Sequence, residues 1–173
     1  MTPETDNLAI SLLEEASASL DISKSQRDEI SASYDAVGMA ICEAEQMEDC
    51  PPLIQAQGSI LLDTVVKPAP DEEFDVDATC LLKLNHLITP SRSVYEKVFQ
   101  ALNGHGTYTS MCERKNRCIR INYSGNYHLD MTPCVPNGNA PKAIYVPDSE
   151  HQCWKPSNPQ RYAQFFDDVA REC

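Results

Sequence analysis

One strand-like segment, Phe74 to Leu84, carries two aspartates separated by a single residue, Asp75 and Asp77. Side chains alternate between the two faces of a β-strand, so both carboxylates emerge on one face while Val76 points into the core. Two carboxylates on one face favour a hard dication, and magnesium usually completes its ligand set with water and substrate oxygens. The segment therefore predicts a strand that borders a hydrophobic core on one side and a metal site on the other.

A glycine-serine pair precedes this strand. The apolar segment Leu53 to Gln57 predicts another strand that ends at Gly58 and Ser59. Glycine lets the backbone approach a ligand closely and leaves its N–H groups free to point at an anion, and the Ser59 hydroxyl adds a donor. The pair is therefore a candidate phosphate-binding turn.

A third aspartate, Asp130, lies in a predicted hairpin formed by 118–123 and 127–131. An unpaired carboxylate is costly in such a hydrophobic segment. Strand alternation places His128 on the same face, where it either orients a carboxylate, approaches a phosphate or serves as a structural histidine. Without metal, the three aspartates would repel one another, so at least one should bind a proton more readily than a free aspartate.

A glycine-serine turn followed by three aspartates is the layout of a two-metal nucleotidyltransferase. Nucleotidyl transfer requires a triphosphate held in place, a reacting phosphorus centre whose negative charge is screened, and an attacking hydroxyl made more acidic. Two metal ions about 3.5 to 4 Å apart meet the last two needs. We predict that Asp75 and Asp77 bridge two Mg²⁺ ions, with Mn²⁺ as an alternative, and that Asp130 binds the ion that activates the hydroxyl. Each motif alone is common in ordinary turns and strands, and it is their order along the chain that favours a site.

Charge and cysteine content narrow the function classes. The chain has 173 residues, enough for one domain, and its net charge of -12 argues against general nucleic-acid binding. It has no apolar run long enough to span a bilayer. No secretion signal is apparent, so we expect a cytoplasmic protein whose eight cysteines are reduced. No cysteine pair has the C-x2-C spacing typical of zinc knuckles, which disfavours a zinc domain without excluding it.

The remaining pattern predicts an α/β fold. Helical spacing of apolar residues, capping signals and proline positions predict four helices: 6–20, 25–47, one that opens at Thr89-Pro90, and one that opens at Asn158-Pro159. We expect a small mixed sheet that carries the three aspartates at one end, with the N-terminal helices packed behind it.

Seven segments spread over nearly the whole chain carry a more specific pattern: Leu20–Ser23, Tyr34–Gly38, Gln57–Ser59, Thr64–Pro68, Glu73–Asp77, His128–Pro133 and Trp154–Phe166. In these segments the chain resembles the bacterial CD-NTases, the cyclic GMP-AMP synthase-like nucleotidyltransferases of anti-phage CBASS operons. It differs at Ile60, where relatives usually have an aromatic or other bulky residue, and at Asp63, where they often have a glycine.

The resemblance implies a polymerase-β-like nucleotidyltransferase lobe with two magnesium ions. It implies that nucleoside triphosphates, ATP and/or GTP, are joined into a cyclic di- or trinucleotide with release of pyrophosphate. The product would activate a separate effector, and CBASS regulatory proteins would be partners. The resemblance assigns substrate binding to four residues: Gln57, Gly58, Ser59 and Thr64. It assigns catalysis and metal binding to three: Asp75, Asp77 and Asp130.

Relatives in this family continue into a helical C-terminal half that forms the other wall of the cleft. We therefore expect residues 1–173 to be the catalytic lobe of a longer protein, or a truncated copy, and to be weakly active or inactive alone. Two alternatives stay open. One is nucleotidyl transfer to a small-molecule or protein acceptor, and the other is a non-catalytic nucleotide-binding or interaction lobe.

Overall fold

Helices and strands are interleaved along the chain in the computed structural model, which describes residues 3–69, 73–123 and 127–172. The helices are α1 (Pro3–Leu20), α2 (Lys24–Cys42), a 3-10 turn (Glu45–Met47), α3 (Gly58–Leu62), α4 (Ser91–Asn103) and α5 (Pro159–Glu172). The strands are β1 (Leu53–Gln57), β2 (Phe74–Leu81), β3 (Cys112–Arg114), β4 (Ile119–Asn122), β5 (Tyr127–Pro136), β6 (Ile144–Asp148) and β7 (Cys153–Ser157).

The strands form one mixed sheet in the order β1-β2-β5-β4-β3. Strands β2 and β5 are parallel, and their register places Asp75 beside His128 and Asp77 beside Asp130. The other pairs are antiparallel, including the β4–β5 hairpin predicted from the sequence. The far end of β5 pairs with β6, which in turn pairs with β7. Strand β5 is therefore shared by both parts of the sheet.

The hydrophobic core lies on the sheet face that carries Val76 and Leu129. Both side chains are almost completely buried, and they belong to one cluster with residues of α2 and α4. The helix residues of this cluster include Val37, Ile41, Val94 and Val98. Period-two alternation in β2 and β5 explains this packing, because every second side chain is apolar. The polar side chains are left on the opposite face, where the site lies.

Most predicted elements are confirmed, but several boundaries are wrong. The first helix begins at Pro3 rather than at residue 6, and the second hairpin strand continues to Pro136 rather than ending at Met131. The second helix was expected to reach Met47 but ends at Cys42, with the 3-10 turn after it. Acidic residues such as Glu43 and Glu45 follow that end, and negative charge is unfavourable at the C-terminus of a helix. The strand expected to end at Leu84 ends at Leu81. At the other end of α2, Ser23 and Gln26 form the predicted capping box.

Two helices expose large apolar side chains. On α1, Leu8, Leu12 and Leu13 are more than half exposed, and on α5 the same is true of Tyr162 and Phe165. Within the described ranges, none of the helices combines the length and hydrophobicity needed to span a membrane. The seven cysteines among the described residues are free thiols.

Candidate metal centre

The parallel pairing of β2 with β5 gathers the acidic residues. Ligand atoms of Asp75, His128 and Asp130 all lie within 4.8 Å of one another. Asp77 is the direct cross-strand neighbour of Asp130. The three aspartates singled out from the sequence thus lie together on one face, as predicted. His128 joins Asp75 and Asp130 in the tight group, while the Asp77 carboxylate lies a little apart, against Gly58.

Gly58 brings the start of α3 against Asp77. Its φ is 62°, in the left-handed region that favours glycine. A Cβ at this position would overlap Asp77 Oδ2 and lie 3.1 Å from Cγ of the same residue. Glycine is therefore required here for both conformation and space, and it places the beginning of α3 beside the acidic cluster.

The other residues assigned to substrate binding surround this turn. Gln57 precedes α3, and its buried Oε1 has no hydrogen-bond partner among the described residues. The N–H of Thr64 donates to the carbonyl of Ser59 at 2.9 Å, which closes the turn after α3. All four assigned residues, Gln57, Gly58, Ser59 and Thr64, thus belong to one local structure next to Asp77.

Asp63, where relatives often have a glycine, lies just after α3. It adopts a left-handed conformation with φ of 52° and caps the helix. Its carboxylate accepts a hydrogen bond from Nη1 of Arg27 at 3.1 Å. The negative charge of Asp63 is therefore paired with an arginine of α2.

Arg120 is the main site residue that the sequence analysis missed. Its guanidinium donates to both oxygens of Asp130, from Nε to Oδ1 and from Nη2 to Oδ2, each at 2.8 Å. Nη2 also lies 3.5 Å from Oδ1 of Asp75. A signal was present, because an arginine between the buried residues Ile119 and Ile121 must face the opposite side of β4.

His128 links Asp75 to a fourth acidic residue. Its buried ring contacts Asp75 Oδ1 through Nε2, and Nδ1 lies 3.2 Å from Oε2 of Glu73. These contacts are compatible with orientation of a carboxylate, which stays a prediction for His128. Glu73, His128, Asp75, Arg120 and Asp130 consequently form one continuous chain of polar contacts.

The pKa values of Asp77 and Asp130 are shifted in opposite directions. The pKa of Asp77 is raised, chiefly by burial and further by the charges of Asp130 and Asp75. Burial would also raise the pKa of Asp130, but the hydrogen bond and charge of Arg120, with a hydrogen bond from the Cys118 thiol, lower it below the ordinary value. The prediction that one aspartate would hold a proton more readily is confirmed in direction at Asp77, although burial contributes more than the repulsion on which the prediction rested.

The donor set fits a divalent cation. Two carboxylates and an imidazole lie close enough to share an ion, and the carboxylate of Asp75 is 67% exposed, so water and substrate oxygens can complete the ligand set. The crowding of like charges at Asp77 is also what a cation would relieve.

Sequence comparison relates the chain to known proteins. The family model described as "Second Messenger Oligonucleotide or Dinucleotide Synthetase domain" matches residues 10–169. A c-di-GMP synthase of Roseivirga ehrenbergii is 35% identical over 118 residues, which cover 68% of this chain and 31% of that protein. The chain thus spans about a third of the length of this curated relative.

Solved structures show the same fold. The CD-NTase CdnG of Bradyrhizobium diazoefficiens, determined with GTP, superposes with a TM-score of 0.72 at 21% identity, over 85% of this chain and 43% of that chain. The cyclic AMP-GMP synthase DncV of Vibrio cholerae, determined with a linear intermediate, gives a TM-score of 0.76 at 13% identity, over 90% and 59%. The predicted polymerase-β-like fold, a small mixed sheet packed against helices, is thereby confirmed.

Proposed function

Because the chain belongs to the family of Second Messenger Oligonucleotide or Dinucleotide Synthetase domains, the CD-NTase nucleotidyltransferases, we propose that it joins nucleoside triphosphates into a cyclic di- or trinucleotide and releases pyrophosphate. ATP and/or GTP are the proposed substrates. The observation that carries the proposal is the cluster of Asp75, His128 and Asp130, with Asp77 beside it, directly next to the glycine that begins α3. This arrangement supports a cation site next to a phosphate-binding turn.

The acidic residues would hold two magnesium ions, with manganese as an alternative. In this proposal Asp75 and Asp77 would hold both ions, and Asp130 would hold the ion that makes the attacking hydroxyl more acidic. When bound, such ions screen the charge of the triphosphate and acidify the hydroxyl. His128 keeps Asp75 oriented through their contact, and Arg120 keeps Asp130 ionised and in place.

The turn at Gly58 would hold the triphosphate. Glycine lets the backbone of this turn approach a ligand closely, so its N–H groups can point at phosphate oxygens. The Ser59 hydroxyl adds a further donor. The unpaired Oε1 of Gln57 offers an acceptor to a hydroxyl or amino group of the nucleotide.

We further propose that residues 1–173 act as the catalytic lobe of a longer protein, with its own helical C-terminal half as partner. The lengths of the relatives support this, as do the apolar side chains that α1 and α5 expose. On the same grounds we expect these residues alone to be weak or inactive. The cyclic product would serve anti-phage defence by activating a separate effector, with CBASS regulatory proteins as partners.

Product analysis tests this function. The chain, and any longer product of its reading frame, is incubated with mixed triphosphates and Mg²⁺, and the products are treated with phosphatase and identified by mass spectrometry. Cyclic, phosphatase-resistant products that vanish in D77N support the proposal. A mononucleotide joined to another acceptor would instead support simple nucleotidyl transfer, and nucleotide binding without turnover in every form would support a non-catalytic lobe.

A further inference from the structure

Arg120 contacts two carboxylates of the acidic cluster, those of Asp130 and Asp75. It lies on β4 between the fully buried Ile119 and Ile121, so the strand fixes its direction. The side chain of Arg120 is only 26% exposed and that of Asp130 only 14%, so their bidentate ion pair is largely shielded from water. The same guanidinium reaches a second carboxylate, Asp75, at 3.5 Å.

A second arginine provides the natural comparison. Arg114, on β3, also donates to both oxygens of one carboxylate, that of Glu96, at 2.8 and 2.7 Å. Its remaining surface lies over the ring of Phe99, at 3.5 Å from the ring centroid. Arg114 is therefore an arginine in an ordinary ion pair, whereas Arg120 faces several acidic groups at once.

The guanidinium shares its partners with the candidate cation site. Asp130 and Asp75 are two of the three residues whose ligand atoms cluster within 4.8 Å. Arginine stays charged at every accessible pH, so it cannot withdraw by losing a proton. It balances the acidic cluster when no cation is bound, and its charge opposes the arrival of one.

We propose that Arg120 is the resident counter-cation of the site: it holds Asp130 through both oxygens and gives up its contact with Asp75 when a divalent cation binds. The contact with Asp75 is the one released because it is longer, 3.5 Å against 2.8 Å, and its carboxylate is the more exposed. Arg120 thus positions Asp130 and lowers the affinity of the site for its metal. This inference rests on the proposed function only in requiring that the site bind a divalent cation.

Manganese titration tests the role of Arg120. Mn²⁺ binding to the chain is measured by electron paramagnetic resonance and calorimetry, without nucleotide, in the unmodified protein and in R120Q, R120K and R114Q. We expect R120Q to bind Mn²⁺ about tenfold more tightly, because a like charge near the ion is removed. R120K keeps the charge and should stay near the unmodified affinity. R114Q breaks an ion pair of the same kind away from the site and should leave the affinity unchanged.

Thermal unfolding supplies a second readout. In chelator, the melting temperature of R120Q should be lower than that of the unmodified protein. Mn²⁺ should raise the melting temperature of R120Q by more than it raises that of the unmodified protein. If R120Q does not fold, D130N is compared with the double variant R120Q/D130N, which removes both charges, and the double variant should bind Mn²⁺ more tightly.

Two results would overturn the inference. The first is that the unmodified protein binds Mn²⁺ and folded R120Q binds it equally well or more weakly. This result overturns the role of Arg120 and leaves the proposed function standing. Absence of Mn²⁺ binding in both proteins overturns the inference and the metal-dependent function together.

Discussion

Asp130 and Asp148 are two aspartates of the same sheet, each paired with an arginine, yet they have opposite surroundings. The Asp148 side chain at the end of β6 is 0% exposed, and protein donors satisfy both of its oxygens. Oδ1 accepts from the backbone N–H of His151 at 3.0 Å and lies 2.9 Å from its Nδ1, while Oδ2 accepts from Arg117 at 3.1 Å. These contacts, led by the backbone hydrogen bond, lower the pKa of Asp148 far below its ordinary value.

Asp130 is also ion-paired, but other acids surround it. Asp77 lies directly across in the register, and Asp75 is in the same cluster. The difference shows that an arginine partner alone does not mark a functional carboxylate. Donors of the fold satisfy both oxygens of Asp148, which suits a structural role, whereas Asp130 shares its arginine with neighbouring Asp75, an arrangement that favours the proposed cation site.

The largest test of this comparison is D130N. We expect nucleoside triphosphate turnover by the catalytically competent protein to fall on the order of 10³-fold, because a metal-binding carboxylate is lost. Thermal unfolding in chelator should change by only a few degrees, since the variant also relieves repulsion among the acids. Released pyrophosphate and circular dichroism measure the two effects. A large loss of stability with turnover retained by the folded fraction would contradict the assignment.

D148N should show the reverse pattern. The Asp148 side chain is fully buried and its charge accepts hydrogen bonds from His151 and from the half-exposed Arg117. Loss of charged hydrogen bonds at a buried group is strongly destabilising, so we expect the melting temperature to fall on the order of 10 °C. Mn²⁺ affinity, measured well below that temperature, should be unchanged. D28N is the control, because Asp28 forms an exposed ion pair with Lys24. This substitution should shift the melting temperature by less than about 2 °C. Equal shifts in D28N and D148N would remove the distinction between the two aspartates.

G58A probes the contact between the turn and Asp77. The new Cβ would collide with the Asp77 carboxylate, and the left-handed conformation would cost about 1–2 kcal/mol. We expect triphosphate affinity to fall about tenfold, by calorimetry, as the turn moves away from the acidic cluster. G106A is matched to it, because a Cβ at Gly106 meets nothing within 4 Å. Unchanged triphosphate binding in G58A would argue against the turn as the phosphate site.

The smallest effect is the pH dependence of stability in chelator. The depressed pKa of Asp148 gives stability that is present above the unfolded pKa and is lost as pH falls through the folded one. Asp77 has the opposite sign: its raised pKa means that the folded protein binds the extra proton, so stability falls as pH rises through that pKa. In urea unfolding between pH 4 and 7, the stability of D77N relative to that of the unmodified protein should therefore increase toward neutral pH. A D77N profile parallel to that of the unmodified protein would contradict the raised pKa of Asp77.

Much of the site could be predicted from alternation along single strands. The period of two placed Asp75 with Asp77 and His128 with Asp130, because it depends only on local backbone geometry. The pairing between strands could not be predicted in this way, since β2 and β5 are joined by a long connection and their register arises from tertiary packing. Arg120 could have been found, since it lies opposite Asp130 in the predicted hairpin, whereas the pairing of Asp148 with Arg117 joins residues distant in the sequence.

Boundaries of the predicted helices failed where electrostatics overrode spacing. Apolar residues continue at helical intervals toward Met47, but the acidic residues after Cys42 oppose extension of α2. Periodicity measures which face is buried and contains no information on the end charges of a helix. The predicted fold class was robust because it depended on several elements at once.

The shared register of β2 and β5 also limits how the chain can change in length. A shift of one residue along β5 would turn Asp130 and His128 into the core and bring Leu129 out among the carboxylates. A shift of two would preserve the faces but bring Thr132 or His128 beside Asp77 in place of Asp130. Single-residue insertions or deletions within this strand pair should therefore be far more damaging than most substitutions at the same positions.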